Sequence, residues 1–556
     1  MVFQVSQNTN LVNSTPITSF KGQKDSKDAN VLSMPIGQLI YNQNMEYISS
    51  GNSVYLRTKR GSTLIKDIDY QAVGAGDYRY NLDDVYLVWA DNTGNLKYYD
   101  ESATTVTTLK TGLAVTDNIF VPFGLGTSSA LYGCNATDGV YKVSGETLAY
   151  SAIADSPNLD FMAFSSISGR MFGVKDQLVY YTEIQQTSAV TSTNIETWNK
   201  TVNTAQPSPD AGKGLVCVVD TGHAMVFFKD TGIWMLPNAD EDSIHWIFPK
   251  ANADIGTKSP MTCKLARYGG AEGIIYLASD KTLRFFTAKV ELNAGPKPTI
   301  SGGDSKIISK LFQTVLDEIP TAYLSKCTSS YFGRYYILNV VAAGDNKISK
   351  TIIIDTEKLI QESNLDFPQA FHFYATNMDN TAYVVRSAAN ELYGFNLDGY
   401  ISKLLVDGTY NEGVPTRIDS TKSLAVNWYA YTGWIKASNS EVELAHGYLY
   451  WAVEGRWNIE FMINNFVLGQ EVPEYDAGTW TTLKPQAVGG SFFDVDSFDV
   501  ARFGADNIKL SQNINAPGRG NYFLYGVRGT TKNQWAKIMG LEQLFKSVRS
   551  SPLGRR

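Results

Sequence analysis

A chain of 556 residues is too long for one ordinary domain, so two or three are expected. With 43% apolar and 19% charged residues it has material for buried cores, which excludes wholesale disorder. A net charge of −7, from 48 Lys and Arg against 55 Asp and Glu, argues against a surface that coats nucleic acid throughout.

Residues 1–35 are polar, rich in Asn, Ser and Thr, and poor in apolar anchors. They read as an extended arm that needs another surface to hold it. Lead-in strands complete a first region, residues 1–80. Among them YLRTKRGS sets Arg57, Lys59 and Arg60 just before Gly61. These cations are candidate interface residues, suited to phosphate or to anchoring a neighbouring subunit.

From about residue 81 to 410 one unit keeps returning: an apolar strand, a short turn with Asp or Asn, and a second strand rich in aromatics. VYLVWADNTGNLKYYD, ALYGCNATDGVYKV, RMFGVKDQLVYYTE, HAMVFFKDTGIWML, GIIYLASDKTLRFF, RYYILNVVAAGDNKISKTIIID and AYVVRSAANELYGFN all show it. Each reads as a β-hairpin, because the flanks favour strand and the middle tolerates turn dihedrals. The markers Asp91, Asp138, Asp176, Asp230, Asp280, Asp345 and Asn390 recur at about 40–65 residues, the spacing of propeller blades. A divergent β-propeller is the expected fold. The 65-residue gap between Asp280 and Asp345 contains DSKIISKLFQTVLDEIP. Its apolar residues recur at three and four, which predicts a helix capped by Asp304 or Ser305 and stopped by Pro320.

Beyond residue 410 the Asp-turn unit is lost. Ile459, Phe461 and Ile463 alternate, as do Tyr522 and Leu524, the pattern of one-sided antiparallel sheets. Residues 411–556 are therefore expected to form a C-terminal β-sandwich-like domain with a basic tail. From residue 501 onward the net charge is +8, which leaves the rest of the chain near −15. Arg549, Arg555 and Arg556 end that tail and join the candidate interface residues, facing an acidic partner or subunit.

Catalytic machinery is thin. The histidines, His223, His245, His372 and His446, show no close ligand spacing, and His223 reads as a packed strand residue. There is no GxSxG and no GxxxxGK[ST]. The widely spaced Cys134, Cys217, Cys263 and Cys327 suit buried free thiols of a reducing compartment rather than a zinc ribbon or a disulfide framework. The longest apolar run, Tyr335 to Ala343, is broken by Asn339, and the start MVFQVSQNTN has no secretory pattern. No catalytic, cofactor-binding or metal residues and no membrane span are expected.

Several stretches, taken in order, resemble the tail-hub or nozzle proteins of short-tailed bacteriophages, also described as tail tubular B or packaged-DNA stabilisation proteins. IYNQNMEYISSGNSVYLRTKRGS is similar to their early segment, with Lys59-Arg60-Gly61 where Arg-Pro-Gly is common. GLVCVVDTGHAMVFFKDTGIWMLPN is similar to a blade with an xIWxL strand. ADIGTKSPMTCKLARYGGAEGIIYLASDKTLRFF carries Ile255-Gly256, Ser259-Pro260 and Tyr276-Leu277-Ala278-Ser279-Asp280, with Lys281 in place of a Gly. YFGRYYILNV and TIIIDTEK follow as in later blades. The resemblance spans residues 35–400. It implies a virion protein without enzymatic activity, made in the bacterial host cytoplasm. Six copies would form a ring at the distal end of the tail, below a portal adaptor or connector. The ring would retain packaged double-stranded DNA without reading its sequence, serve as conduit for its ejection, and seat fibres or spikes. An acidic lumen would keep the channel from gripping its cargo. The alternative is a glycan-binding or glycan-cleaving propeller, which would need paired carboxylates at a channel mouth; the turn KDTGIW resembles that of sialidase-type propellers. A scaffold for protein partners is a third reading.

Overall fold

The computed structural model describes residues 11–13, 17, 20, 23, 36–50, 53–81, 84–124, 128–183, 194–207, 214–251, 254–291, 299–357, 372–439, 441–453, 459–483, 519–532 and 535–547. The chain divides into two compact units, one of residues 63–361 and 376–404, the other of residues 1–62, 362–375 and 405–556.

In the first unit seven antiparallel sheets follow one another among the described residues. Blade 1 is Ala72–Arg79, Val85–Asp91, Asn95–Asp100 and Thr105–Thr111; blade 2 is Ile119–Phe123, Ala130–Asn135, Gly139–Ser144 and Ala149–Ala152. Blade 3 is Phe161–Phe164, Met171–Lys175, Leu178–Tyr181 and Thr204–Ala205; blade 4 is Leu215–Asp220, Met225–Lys229 and Gly232–Leu236. Blade 5 is Lys264–Tyr268, Ala271–Leu277, Leu283–Glu291 and Thr299–Ile307; blade 6 is Thr328–Phe332, Tyr335–Val340 and Lys350–Asp355. Blade 7 is Asn380–Arg386, Glu391–Asn396 and Tyr400–Val406, and its outer strand, Gly61–Asp67, comes from before blade 1. The first strand of each blade lies beside the first strand of the next, and that of blade 7 beside that of blade 1. This is a closed seven-bladed β-propeller, with a strand from the start of the unit strapped onto the last blade.

Closure is a packed interface. Trp89, Leu87 and Ala72 of blade 1 meet Ala382, Val384, Tyr393 and Phe395 of blade 7. Thr381 Oγ1 donates to Ala72 O at 2.7 Å. Arg386, 4% exposed, reaches Asp77 of blade 1 at 2.7 Å and Glu101 at 2.5 Å. The second strands of blades 2 and 4 are buried at every position, because they lie between neighbouring blades.

Three expectations change here. The propeller does not begin at residue 81, since that boundary would split blade 1 after its inner strand. Six of the Asp markers do sit between second and third strands, but Asn390 lies one hairpin early, between Asn380–Arg386 and Glu391–Asn396. It holds φ 51°, a left-handed turn conformation that Asn tolerates, so it imitates the marker; Asp398 holds the equivalent position. The expected helix from Asp304 shrinks to Gln313–Asp317. Asp304 and Ser305 belong instead to the strand Thr299–Ile307, which bonds along Leu283–Glu291 and completes blade 5. The helix ends at Asp317, before Pro320, which instead caps the start of the 3-10 turn Thr321–Lys326.

The second unit is a β-sandwich built from both ends of the chain, rather than from residues 411–556 alone. One sheet orders Met45–Ser50, Ser53–Thr58, Ala536–Ser547, Val442–Val453 and Arg519–Gly520, with Leu11–Asn13 also on Ala536–Ser547. The other runs His372–Ala375, Leu39–Gln43, Ser423–Thr432, Tyr522–Thr531, Ile459–Phe466 and Thr479–Leu483. Between them lie Met45, Leu56, Ile538, Leu541 and Phe545 from one side and Trp428, Ile459, Phe461, Phe523 and Tyr525 from the other. Ile17 and Phe20 of the arm enter this core. The second sheet is not one-sided: its other face carries Ile40, Tyr431, Trp434, Met462, Phe466, Tyr522 and Leu524. Successive strand residues point to opposite faces, and here both sets are apolar.

Candidate functional site

The basic cluster before Gly61 forms an internally neutralised network. Lys59 is 1% exposed and pairs with Glu412, equally buried, whose other oxygen accepts from Ser62 Oγ at 2.9 Å. Arg60 donates from its backbone N–H and Nε to Glu46 Oε1, at 2.9 and 3.1 Å, and Nη1 lies 3.4 Å from Asp407. Arg57 reaches Glu46 at 3.4 Å and lies over the Tyr410 ring. Lys59 is therefore no interface residue: its charge is consumed inside the sandwich unit. Arg57 and Arg60 remain partly exposed but carry carboxylate partners. Arg549, Arg555 and Arg556 lie outside the described residues.

The Asp turns are structural devices. Asp91 Oδ1 accepts from Thr93 N, Thr93 Oγ1 and Asn95 N at 2.9, 2.6 and 3.0 Å, and Lys97 pairs with Oδ2 at 2.8 Å. Burial works against its charge, but Lys97 and the turn donors outweigh it and hold the carboxyl below its usual range. Asp280 repeats the arrangement with Thr282 and Arg284. Asp230 sits in the two-residue loop between paired Lys229 and Gly232, a turn former as its sequence suggests.

The Ile-Gly/Ser-Pro stretch is a clamp between blades 4 and 5. Gly256 N and Thr257 N donate to Asp230 O and Lys229 O at 3.1 and 2.9 Å. Thr257 Oγ1 donates to Leu277 O and Ser259 Oγ to Leu324 O, each at 2.5 Å. A Cβ on Gly256 would overlap the Lys229 carbonyl, so only glycine permits this approach.

Other residues stand as follows. His223 is exposed in the turn after Leu215–Asp220, not packed; Asp220 Oδ1 accepts from Gly222 N at 2.9 Å and turns the chain outward there. All four cysteines are buried and free, with Cys217 Sγ 3.3 Å from Cys263 Sγ. Among the described residues no group of three His, Cys, Asp or Glu is placed to hold a metal ion. No helix among them is long and apolar enough to cross a membrane.

Two features escaped the sequence reading. One is the aromatic face of the second sandwich sheet. Tyr41 stacks on Tyr475 with ring centroids 6.0 Å apart, Tyr431 meets Tyr475 and Trp480 at 5.1 and 5.9 Å, and Tyr374 lies 5.4 Å from Tyr41. Arg528 lies 4.1 Å over Trp480 and is held by Glu460 at 2.5 Å. Burial, then Asp476 and Tyr475, pushes the Tyr431 hydroxyl up to about 12, so that phenol stays neutral. Flat rings beside a fixed guanidinium suit stacking, not proton transfer. The other is Asp379, at the start of the inner strand of blade 7. Burial first, and then Asp398, raise its carboxyl to about 6.

The fold thus defines a seven-bladed β-propeller joined to a β-sandwich. No protein-family model matches the chain, and no curated protein sequence matches it. Among solved structures it is similar to Raptor from Chaetomium thermophilum, with TM-score 0.37 and 11% identity, over 62% of this chain and 29% of that one. It thus spans under a third of Raptor's length. It is also similar to the β-propeller domain of Cps50 (Swd1) from Myceliophteria thermophila, with TM-score 0.38 and 10% identity, over 62% of this chain and 99% of that one.

Proposed function

We propose that this chain is a structural subunit of a short viral tail. Six copies close into a ring below a portal adaptor, retain packaged double-stranded DNA, pass it during ejection, and seat fibres or spikes. The observation that carries this reading is the part played by the most specific resembling stretch. Ile255–Pro260 binds two blades together through backbone and buried hydroxyl groups, so the shared motif is one of scaffold rather than of reaction. The test is native mass of the purified chain, alone and with a candidate connector ring. Six copies per ring is the expected result, and a single copy under both conditions refutes it.

One observation favours a second reading. Burial, and then the charge of Asp398, raises the Asp379 carboxyl to about 6, within the range of a general acid for glycan cleavage. Release of reducing ends from a polysaccharide, abolished by Asp379→Asn, would support that reading. Absence of turnover across a glycan panel would remove it.

A further inference from the structure

We propose that Cys217 and Cys263 are a redox site of the propeller: oxidation joins them in a disulfide that staples blade 4 to blade 5, and reduction frees them. The inference stands apart from the ring reading, since it concerns a single copy.

The two thiols meet although they are 46 residues apart in sequence. Cys217 Sγ donates to Cys263 Sγ at 3.3 Å, and both side chains are buried in the core between the two blades. The other two cysteines have different surroundings. Cys327 Sγ turns to Tyr323 O at 3.8 Å, and Cys134 lies among Ile119, Ala130 and Val140 of blade 2.

The first strand of blade 4 is bent where it makes this contact. In a regular strand Leu215 and Cys217 would share one face. Here one extra residue, Val216, interrupts the register, with Leu215 opposite Lys229 and Cys217 opposite Phe228. Leu215 and Val218 therefore pack with Phe172 and Val179 of blade 3. Cys217 packs instead with Ile274 and Tyr276 of blade 5. A bulge re-aims a side chain, and this one aims a thiol at the neighbouring blade.

Cys263 is fixed from the other side. Its backbone N–H donates to Pro260 O at 3.2 Å, at the end of the 3-10 turn Pro260–Thr262. Thr262 Oγ1 donates to Ser259 O at 2.7 Å and accepts from Leu277 N at 3.1 Å. Both thiols thus sit on held backbone, so joining them takes side-chain rotation rather than movement of a blade.

The oxidant is a small hydroperoxide, of which hydrogen peroxide is the simplest. One thiol sulfur attacks a peroxide oxygen, the O–O bond breaks, and a sulfenic acid and a water are left. The second sulfur attacks the sulfenic sulfur, the S–O bond breaks, and a second water leaves. Two thiols and one peroxide give one S–S bond and two waters. The sulfurs lose two electrons and the peroxide oxygens take them. Burial, and then the contact with Cys263, pushes the Cys217 thiol up, so the nucleophilic thiolate is scarce and the reduced pair persists where peroxide is low. Reaction follows local opening of the two blades. Once formed, the bond limits how far they can separate.

The test treats the full chain, reduced and then freed of reductant, with hydrogen peroxide under native conditions. Peptides are mapped by mass after non-reducing digestion. One linked pair, Cys217 with Cys263, is expected, with loss of two of the four thiols and their return under a dithiol reductant. Amide exchange in Leu215–Asp220 and Lys264–Tyr268 should then slow by about tenfold. Cys134→Ala should leave the link intact, and Cys263→Ala should abolish it. Survival of all four thiols, a link between any other pair, or a link formed only in denaturant overturns the site. A link that leaves amide exchange unchanged overturns the staple. The unsubstituted chain decides both points, so a variant that fails to fold does not.

Discussion

At the scale of single residues, the fold depends on groups whose partners are distant in sequence. Lys59 and Glu412 form a buried pair, and removing one partner leaves the other charge without compensation. Lys59→Met should cost about 3–5 kcal/mol, read by chemical denaturation, while Lys59→Met with Glu412→Leu should recover most of the loss. Gly256→Ala drives a methyl into the Lys229 carbonyl and should cost about 1–3 kcal/mol in the same assay. Asp379 gives a pH signature. Its folded value of about 6 exceeds its ordinary 3.8, so the native state holds the proton more tightly than the unfolded chain. Stability from this group is full below pH 3.8 and falls as pH rises to about 6, by at most about 3 kcal/mol. Asp379→Asn should therefore stabilise the protein at pH 7 and change little near pH 4. Equal effects at both pH values would contradict the burial argument. None of these pairings was legible in the sequence. Arg57, Lys59 and Arg60 look like a free basic patch until folding brings Glu46, Asp407 and Glu412 to them.

At the scale of elements, the blade hairpins were the legible part. Asp91 and Asp280 accept backbone N–H groups of their second-to-third strand turns, and in blade 2 Asn135 does so, so short acceptor side chains mark these turns in the sequence. The seventh marker slipped because Asn390 meets a left-handed turn by the same side-chain chemistry one hairpin earlier. The helix is shorter than its apolar spacing predicts because that spacing merges two elements: the outer strand Thr299–Ile307 ends shortly before the short Gln313–Asp317 helix begins. The aromatic face of the sandwich stayed hidden, since a strand apolar on both faces carries no alternation to read. Ring closure is an element-scale claim with its own test. Trp89→Ala empties the blade 1–blade 7 interface and should cost about 3–5 kcal/mol. Amide exchange should then rise in both blades, including the strap Gly61–Asp67. A rise confined to blade 1 would mean that the two blades do not support each other.

At the scale of the whole molecule, the chain is two bodies: a propeller closed by its own strap, and a sandwich that gathers both chain ends around it in sequence. The propeller was anticipated from periodicity; the part played by the N-terminal strands in the sandwich was not, because pairing between the two ends of a chain leaves no local pattern. In the ring proposed above, the closed propeller would be the scaffold of each copy. The most direct measurement is electron microscopy of the purified chain bound to its candidate connector, with class averages viewed down the axis. Rings of six copies around a central opening are the expected result. Single particles bound at random, or no ring on any connector, would contradict it.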